Sequence, residues 1–151
     1  MVDEKTYWIK THDGDPEMRA LADRHYSREK RGSKLFVGVG EKIVLKSPDG
    51  KALFAWLYSK IRMDNLDGIN CTIFRNESSE LSSKLILEAE KFALEKWSKG
   101  KNELLLFTYV NPNKVKSTYA GYCFLKAGWE YVRMSKTGKL KLFIKKVKIN
   151  E

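Results

Sequence analysis

The chain has 151 residues, 42% of them hydrophobic, which suits one globular domain with a buried core rather than two domains. Its 29 lysines and arginines against 19 acids give a formal net charge of +10, which favours polyanionic partners such as DNA or RNA. The N-terminal MVDEKTYWIK is too polar for a signal peptide, and no apolar run reaches membrane-spanning length. We therefore expect a soluble, cytoplasmic single domain over residues 1–151, without a membrane partner.

The first half of the chain predicts one helix among antiparallel strands. A strand is expected at 6–11, and a helix follows N-cap Asp15, with Pro16 at its first position. The helix has one apolar face, because its buried-type residues recur at i, i+3, i+4 and i+7: Met18, Leu21, Ala22 and His25. Further strands are predicted at 35–40, 41–47 and 51–61, with a Ser-Pro-Asp-Gly turn between the last two.

The second half predicts a parallel crossover followed by a hairpin. An apolar strand at 68–76, an amphipathic helix at 82–97 and a buried strand at 102–110 form a strand-helix-strand unit. A short helix at 117–128 and strands at 129–135 and 139–147 complete the chain. The fold class expected is α/β with a mixed sheet, in which antiparallel N-terminal strands join a parallel β-α-β pair and a C-terminal hairpin.

The two cysteines predict neither a disulfide framework nor a zinc site. Cys71 and Cys123 lie in apolar surroundings, without CxxC spacing or neighbouring histidines. We expect buried, reduced thiols and no bound metal.

A polar loop between the apolar strand and the long helix predicts an anion site. The loop holds Arg75, Asn76 and four serines, Ser78, Ser79, Ser82 and Ser83, beside a helix N-terminus. Hydroxyl donors and the positive end of a helix dipole suit a phosphate. A serine-capped helix start with Arg75 as a surface charge is the structural alternative.

The order of elements and the run YCFLKAGWE resemble the GNAT acyltransferase superfamily, whose C-terminal signature is matched by Phe124, Lys126, Gly128 and Trp129. The likeness covers roughly residues 69–147, and FRNESSELSSKLILEAEKFA takes the place of the family's pyrophosphate loop and helix, without its glycines. The resemblance implies acetyl-CoA or another acyl-CoA as donor, and transfer of its acyl group to an amine.

The resemblance also implies roles for individual residues. The donor is expected to contact the strand Thr72, Ile73 and Phe74, the loop just described, and Asn111 and Asn113. His25 is the expected general base by its ordinary pKa. In the family, a tyrosine at the position of Phe124 often acts as the general acid that protonates the leaving thiolate, and phenylalanine cannot donate a proton. Tyr119 or Tyr122 is therefore the expected general acid, and aromatic packing is the alternative role for both.

Two basic segments point to the acceptor. The run His25-Tyr26-Ser27, flanked by Arg24 and Arg28, is similar to that of Mom-like DNA-modification proteins, a GNAT-related group. In the tail, period-2 geometry predicts Lys139, Lys141 and Lys145 on one strand face, with the aliphatic residues on the other. Arginines and lysines would hold phosphates while Tyr26 stacks on a base.

Three functions remain open at this point. The first is an acyl or related group transferase modifying a nucleic acid, either adenine in DNA or a charged RNA. The second is an acetyl-CoA-dependent N-acetyltransferase of a small amine or a protein lysine. The third is a non-catalytic nucleic-acid-binding protein on the same fold.

Overall fold

The computed structural model describes residues 7–25, 34–60, 62, 64–112 and 121–149. In chain order its elements are β1 Ile9–Thr11, α1 Pro16–Asp23, β2 Glu41–Lys46, β3 Ala52–Tyr58, β4 Ile69–Asn76, α2 Ser82–Trp97, β5 Glu103–Val110, α3 Tyr122–Lys126, β6 Glu130–Met134 and β7 Lys141–Lys148.

Seven strands form one mixed sheet in the order β1-β2-β3-β4-β5-β7-β6. Neighbouring strands are antiparallel except β4 and β5, which are parallel and connected through α2. The predicted mixed α/β class, the crossover and the C-terminal hairpin are confirmed, because all three depend on strand and helix periods readable in the sequence.

The helices cover opposite faces of the sheet. Leu85, Ile86 and Ala89 of α2 and Phe124 of α3 pack with one set of strand residues, including Trp56 and Leu106. On the other face, α1 places Met18, Leu21 and Ala22 against a separate set: Val44, Leu53, Ala55, Leu57 and Ile73. We call these the α2 face and the α1 face.

Indole hydrogen bonds attach α2 to the sheet. Trp8 and Trp56 donate from Nε1 to the carbonyls of Leu85 and Ala89, each at 2.9 Å. Trp129 donates to Oε2 of buried Glu90, also at 2.9 Å. A buried indole N–H that keeps a partner avoids a desolvation cost of about 1–3 kcal/mol, so these bonds help to define how α2 sits.

The start of α1 follows the sequence prediction. The side chain of Asp15 accepts hydrogen bonds from the backbone N–H groups of Glu17 and Met18, as an N-cap does. The helix ends at Asp23, and the buried His25 lies just beyond it.

The strand predicted at 35–40 is wrong. Residues 35–40 contain no strand, and Gly38 and Gly40 have φ values of +123° and +142°, which extended L-residues do not adopt. The N–H groups of Phe36 and Val37 donate to Oδ1 of Asp13 rather than to a neighbouring strand. The apolar residues of this run therefore cover α1 as a loop, with Val37 buried against it.

Both cysteines are free thiols, as expected, with Cys71 buried and Cys123 half-buried. Burial raises the pKa of the Cys71 thiol and raises that of Cys123 to about 11. Among the described residues, no helix is long and apolar enough to cross a membrane.

Candidate active-site cleft

The parallel strands β4 and β5 pair over a short length and then separate. Their paired residues are Ile69 with Leu106, Asn70 with Phe107 and Cys71 with Thr108, although β4 continues to Asn76 and β5 to Val110. An opening between the carboxyl ends of two parallel strands is a frequent place for a ligand in α/β sheets.

A β-bulge in β4 coincides with the separation. Ala55 of β3 faces Ile73, whereas the next residue, Trp56, faces Cys71, so Thr72 is an extra residue on β4. The bulge reverses which residues point to which face: Cys71 belongs to the core on the α2 face, and Ile73 packs under α1. No sequence pattern marked this change of phase.

A small cavity of about 30 Å³ lies in the opening. It is lined by His25, by Thr72, Ile73 and Phe74 of β4, and by residues of β5 and α3 that include Tyr109 and Phe124. This volume is close to that of one water molecule, so the opening is narrow at this depth. The strand residues predicted to contact a donor therefore lie beside the predicted base.

His25 is buried, and its imidazole is neutral at pH 7. Burial above all, and then the positive charge of Arg75, lower its pKa from 6.5 to about 4, and a hydrogen bond with the backbone of Phe74 partly opposes them. A neutral imidazole can accept a proton, but a pKa of about 4 makes it a weaker base than an exposed histidine.

Within the described residues, the hydroxyl of Thr72 has no hydrogen-bond partner. Its Oγ1 is buried, as is Oδ1 of Asn70 two residues earlier, and neither accepts or donates in the structure. An unpaired buried polar atom costs free energy, and such atoms cluster where a ligand or water completes the bonding. Thr72 lines the cavity, so its hydroxyl is available to a group that enters there.

Two arginines hold one carboxylate at the edge of the cleft. Arg24 donates from Nε and Nη2 to Glu77 at 2.7 and 2.8 Å, and Arg75 donates from Nε to the same carboxylate at 2.8 Å. These contacts lower the pKa of Glu77 to about 2. Arg24 and Arg75, predicted to bind substrate and donor, are thus both paired with an internal acid.

The polar loop is folded on itself before α2. Asn76 donates to the carbonyl of Glu80 and to Oγ of Ser82 and accepts from Ser78, whose hydroxyl also accepts from the N–H of Glu80. The residue before α2 is Leu81, and no side chain caps the helix. Ser83 is buried and Ser79 is exposed. The first-turn N–H groups of α2 therefore lack a side-chain acceptor among the described residues.

A polar cluster that the sequence analysis missed lies on β5 and the segment before β4. The hydroxyl of Tyr109 donates to Oδ2 of Asp64 at 2.9 Å, and Asp64 forms a bidentate pair with Arg62 at 2.8 and 2.6 Å. Burial first, and then the contact with Asp64, raise the pKa of Tyr109. The alternation of β5 residues could have identified Tyr109 as a cleft residue, but nothing in the sequence paired it with Asp64.

The aromatic residues of α3 divide between core and surface. Phe124 is buried, with its ring centroid 4.9 Å from that of Trp129, and has only a packing role in the cavity wall. The side chain of Tyr122 is 54% exposed and does not line the cavity. The structure therefore does not bring Tyr122 to His25. Tyr119 lies outside the described residues, as do Tyr26, Ser27, Arg28 and Asn113.

Lys141 and Lys145 lie on one side of β7, as the period-2 pattern predicted, whereas Lys139 precedes the strand. The β7 residues on the side of Lys141 and Lys145 include Phe143, which is fully buried on the α2 face. Nζ of Lys145 is 2.7 Å from Oε1 of Glu90 and 2.9 Å from the carbonyl of Ala127. Nζ of Lys141 lies 5.4 Å from the ring centroid of Tyr131, and Lys139 is exposed in the turn before β7.

The exposed cations at the turn of the hairpin include Lys139 and two residues outside the predicted set. Arg133, Lys136 and Lys139 lie at the end of the hairpin nearest the carboxyl ends of β4 and β5, and no ion pair involves them among the described residues. We call these three residues the hairpin cations. Asn111, predicted to contact a donor, directly follows β5 at the same end of the sheet and is half-buried.

No family of proteins, no curated protein and no solved structure matched this chain significantly. Within the described part of the chain, no group of three histidine, cysteine or acidic side chains is arranged to hold a metal ion.

Proposed function

We propose that the protein is a GNAT-type acyltransferase that receives an acyl thioester in the opening between β4 and β5. The observation that carries the proposal is the separation of the two parallel strands directly after the pair Cys71–Thr108, combined with the bulge at Thr72. A thioester carbonyl placed there would lie along β4, whose backbone N–H groups can stabilise a developing oxyanion.

The element order supports the same family. A long helix follows β4, a short helix follows β5, and the chain ends in a hairpin whose second strand pairs with β5. These elements carry the residues on which the resemblance rests, including Phe124 and Gly128. In the sheet, the antiparallel strands β1 to β4 lie on one side of the cleft, and β5 with the C-terminal hairpin lies on the other side.

His25 is the proposed base. In the reaction the acceptor amine forms a C–N bond, the C–S bond breaks, and the amine loses a proton to His25 or to a water that His25 orients. The departing thiolate then takes up a proton. Because the imidazole is neutral at pH 7, His25 is in the protonation state that this step needs.

The α2 N-terminus and the two arginines are the proposed site for the phosphates of the donor. The loop serines and the uncapped first turn of α2 supply hydroxyl and N–H donors, which suit an anion. Glu77 competes for the same charges, because its carboxylate holds both Arg24 and Arg75. Donor binding would thus require these guanidinium groups to leave Glu77 or to be shared with it.

Nucleic acid is the proposed acceptor class. The net charge of +10 and the unpaired hairpin cations near the cleft end of the sheet support this choice. Cationic acceptors such as polyamines would instead be repelled by these residues.

One experiment tests donor and acceptor separately. Isothermal titration with acetyl-CoA measures donor binding, and digestion of DNA and RNA incubated with protein and labelled donor measures transfer by mass spectrometry. The proposal requires binding, together with an acylated nucleoside that is lost in His25→Ala. Binding without nucleoside modification, but with labelled lysine or polyamine, supports the small-amine or protein acetyltransferase. Absence of donor binding at millimolar concentration overturns the acyl-CoA proposal.

A further inference from the structure

A second concave site lies at the opposite end of the sheet from the cleft. It is a groove of about 260 Å³ at the amino-terminal ends of β4 and β5, beside the end of α2. Its floor is formed by Gly68, Ile69 and Leu104, and its walls include the rings of Tyr58 and Trp97. The volume is just below the range of about 300–1,000 Å³ common for small-molecule sites, so a small ligand fits.

The groove is separate from the proposed cleft. Ile69 lines the groove, whereas Thr72, Ile73 and Phe74 line the cleft. Three or more residues along a strand correspond to about 10 Å or more. A ligand in the groove therefore does not contact His25, and its binding does not depend on the proposed transferase activity.

The position of one aromatic wall is defined by a hydrogen bond. Nε1 of Trp97 donates to Oε1 of Glu41 at 3.0 Å, and the Trp97 side chain is almost fully buried. Tyr58 is half-buried, and Glu41 lies opposite it in the β2–β3 ladder. The groove thus has fixed aromatic surface with a carboxylate close behind it.

The charged residues of the groove are not paired with one another. Asp67 and Glu103 are exposed on its rim, and Lys101 lies on the same rim, yet the described residues include no hydrogen-bond or ion-pair partner for the side chains of these three residues. Lys148 lies opposite Glu103 in the β5–β7 ladder, and it too forms no ion pair with another described residue. Two carboxylates are therefore free to bind a ligand in a chain whose net charge is strongly positive.

We propose that this groove binds a small organic cation, namely a primary amine or guanidine carried on an apolar body. The carboxylates of Asp67 and Glu103 would hold the charge, and the half-buried ring of Tyr58, beside the small exposed part of Trp97, would contact the apolar part of the ligand. The net charge of +10 repels such a ligand only weakly, because salt screens charges that lie more than about 8 Å away under physiological conditions.

The probe is benzylamine, and benzyl alcohol is its uncharged counterpart. The indole N–H signal of Trp97 in a two-dimensional ¹H–¹⁵N NMR spectrum, assigned with Trp97→Phe, reports occupancy of the groove. We expect benzylamine to shift this signal saturably and benzyl alcohol to bind at least about threefold more weakly.

Charge variants test which residues hold the cation. Asp67→Asn combined with Glu103→Gln should weaken benzylamine binding about three- to tenfold, because each partly exposed ion pair contributes modestly. Lys101→Gln should strengthen binding about twofold by removing a repelling charge. Glu88→Gln combined with Glu130→Gln changes the net charge equally at a distance from the groove, and should leave the affinity unchanged.

Three results would overturn the proposal. They are no saturable shift of the Trp97 signal, equal affinities for benzylamine and benzyl alcohol, and equal effects of the groove pair and the distant pair of substitutions. Because all substituted acids and Lys101 are exposed or half-buried, loss of folding would not be confused with loss of binding.

Discussion

The hydroxyl of Thr108 donates to the carbonyl of Cys71 at 2.8 Å, across the last parallel residue pair before β4 and β5 separate. This bond joins the two strands at the inner end of the cleft. The next residue on β4, Thr72, has a buried hydroxyl without a partner. The two threonines of this opening thus differ in whether the hydroxyl has a hydrogen-bond partner among the described residues.

We predict that Thr108→Val destabilises the protein more than Thr72→Val. The first change removes a buried hydrogen bond to the carbonyl of Cys71, which should lower the free energy of unfolding by about 1–2 kcal/mol. The second removes an unpaired polar atom at nearly constant shape, which is close to neutral or stabilising. Urea denaturation of both variants measures the difference, and equal losses of unfolding free energy would contradict it.

His25 should make stability depend on pH. Since its pKa is about 4 in the folded protein and 6.5 when exposed, the unfolded chain binds more protons between these values. Stability from this group is complete above pH 6.5 and is lost as the pH falls towards 4, by up to about 3 kcal/mol.

The measurement is denaturation of wild type and His25→Gln at several pH values from 7 to 4. The stability difference between the two proteins should shrink or reverse on acidification. The exposed His12 provides the control, because His12→Gln should follow the wild type. A constant difference across this range would show that His25 titrates normally.

The contact between Glu90 and Lys145 should be strongly coupled. Glu90 is buried, its pKa is raised by that burial despite Lys145 and Trp129, and Lys145 also donates to the carbonyl that ends α3. A double-mutant cycle with Glu90→Gln and Lys145→Met should give a coupling free energy of about 1–3 kcal/mol.

The comparison is the pair of half-buried Glu88 and exposed Lys91, 3.1 Å apart on the same helix. Its cycle should give below about 0.5 kcal/mol, because solvent screens the pair and side-chain entropy opposes it. Similar values for the two cycles would mean that the Glu90 contact is not effectively buried.

Removing Glu77 should improve binding of an anionic donor. In Glu77→Gln the guanidinium groups of Arg24 and Arg75 no longer face a carboxylate, so acetyl-CoA affinity should rise about two- to fivefold. Arg75→Ala should lower it. Glu80→Gln, which removes an acid of the same loop that pairs with Lys84 instead, is the matched control. Equal effects of the two glutamate variants would argue against a specific role for the arginines.

The hairpin cations should determine the salt dependence of nucleic-acid binding. Replacing Arg133, Lys136 and Lys139 by Gln should reduce the slope of log affinity against log salt by about 2, since each phosphate contact contributes about 0.7–0.9. Lys60, Lys96 and Lys99 are exposed at the other end of the sheet and form the control triple. An equal loss of slope in the two triples would indicate a general effect of net charge.

Local signals in the chain were sufficient for most elements of the fold. Asp15 as a cap, the apolar face of α1 with Met18, Leu21 and Ala22, the β4-α2-β5 crossover and the final hairpin all depend on spacings of a few residues. Such spacings reflect the periods of helix and strand, which any solvent-facing element must obey. The wrong strand at 35–40 had the same kind of signal, but glycines with positive φ and the carboxylate of Asp13 displaced it.

The cleft depended on partners far apart in the chain. Glu77 pairs with Arg24 across 53 positions, Tyr109 with Asp64 across 45, and Lys145 with Glu90 across 55. In the tail, the period-2 alternation predicted from the sequence is present in β7. However, Phe143 lies on the same side of the strand as Lys145 and is buried, so that side faces the core and Lys145 reaches Glu90. A strand pattern specifies two faces without saying which element covers each, because burial is decided by the packing of distant segments.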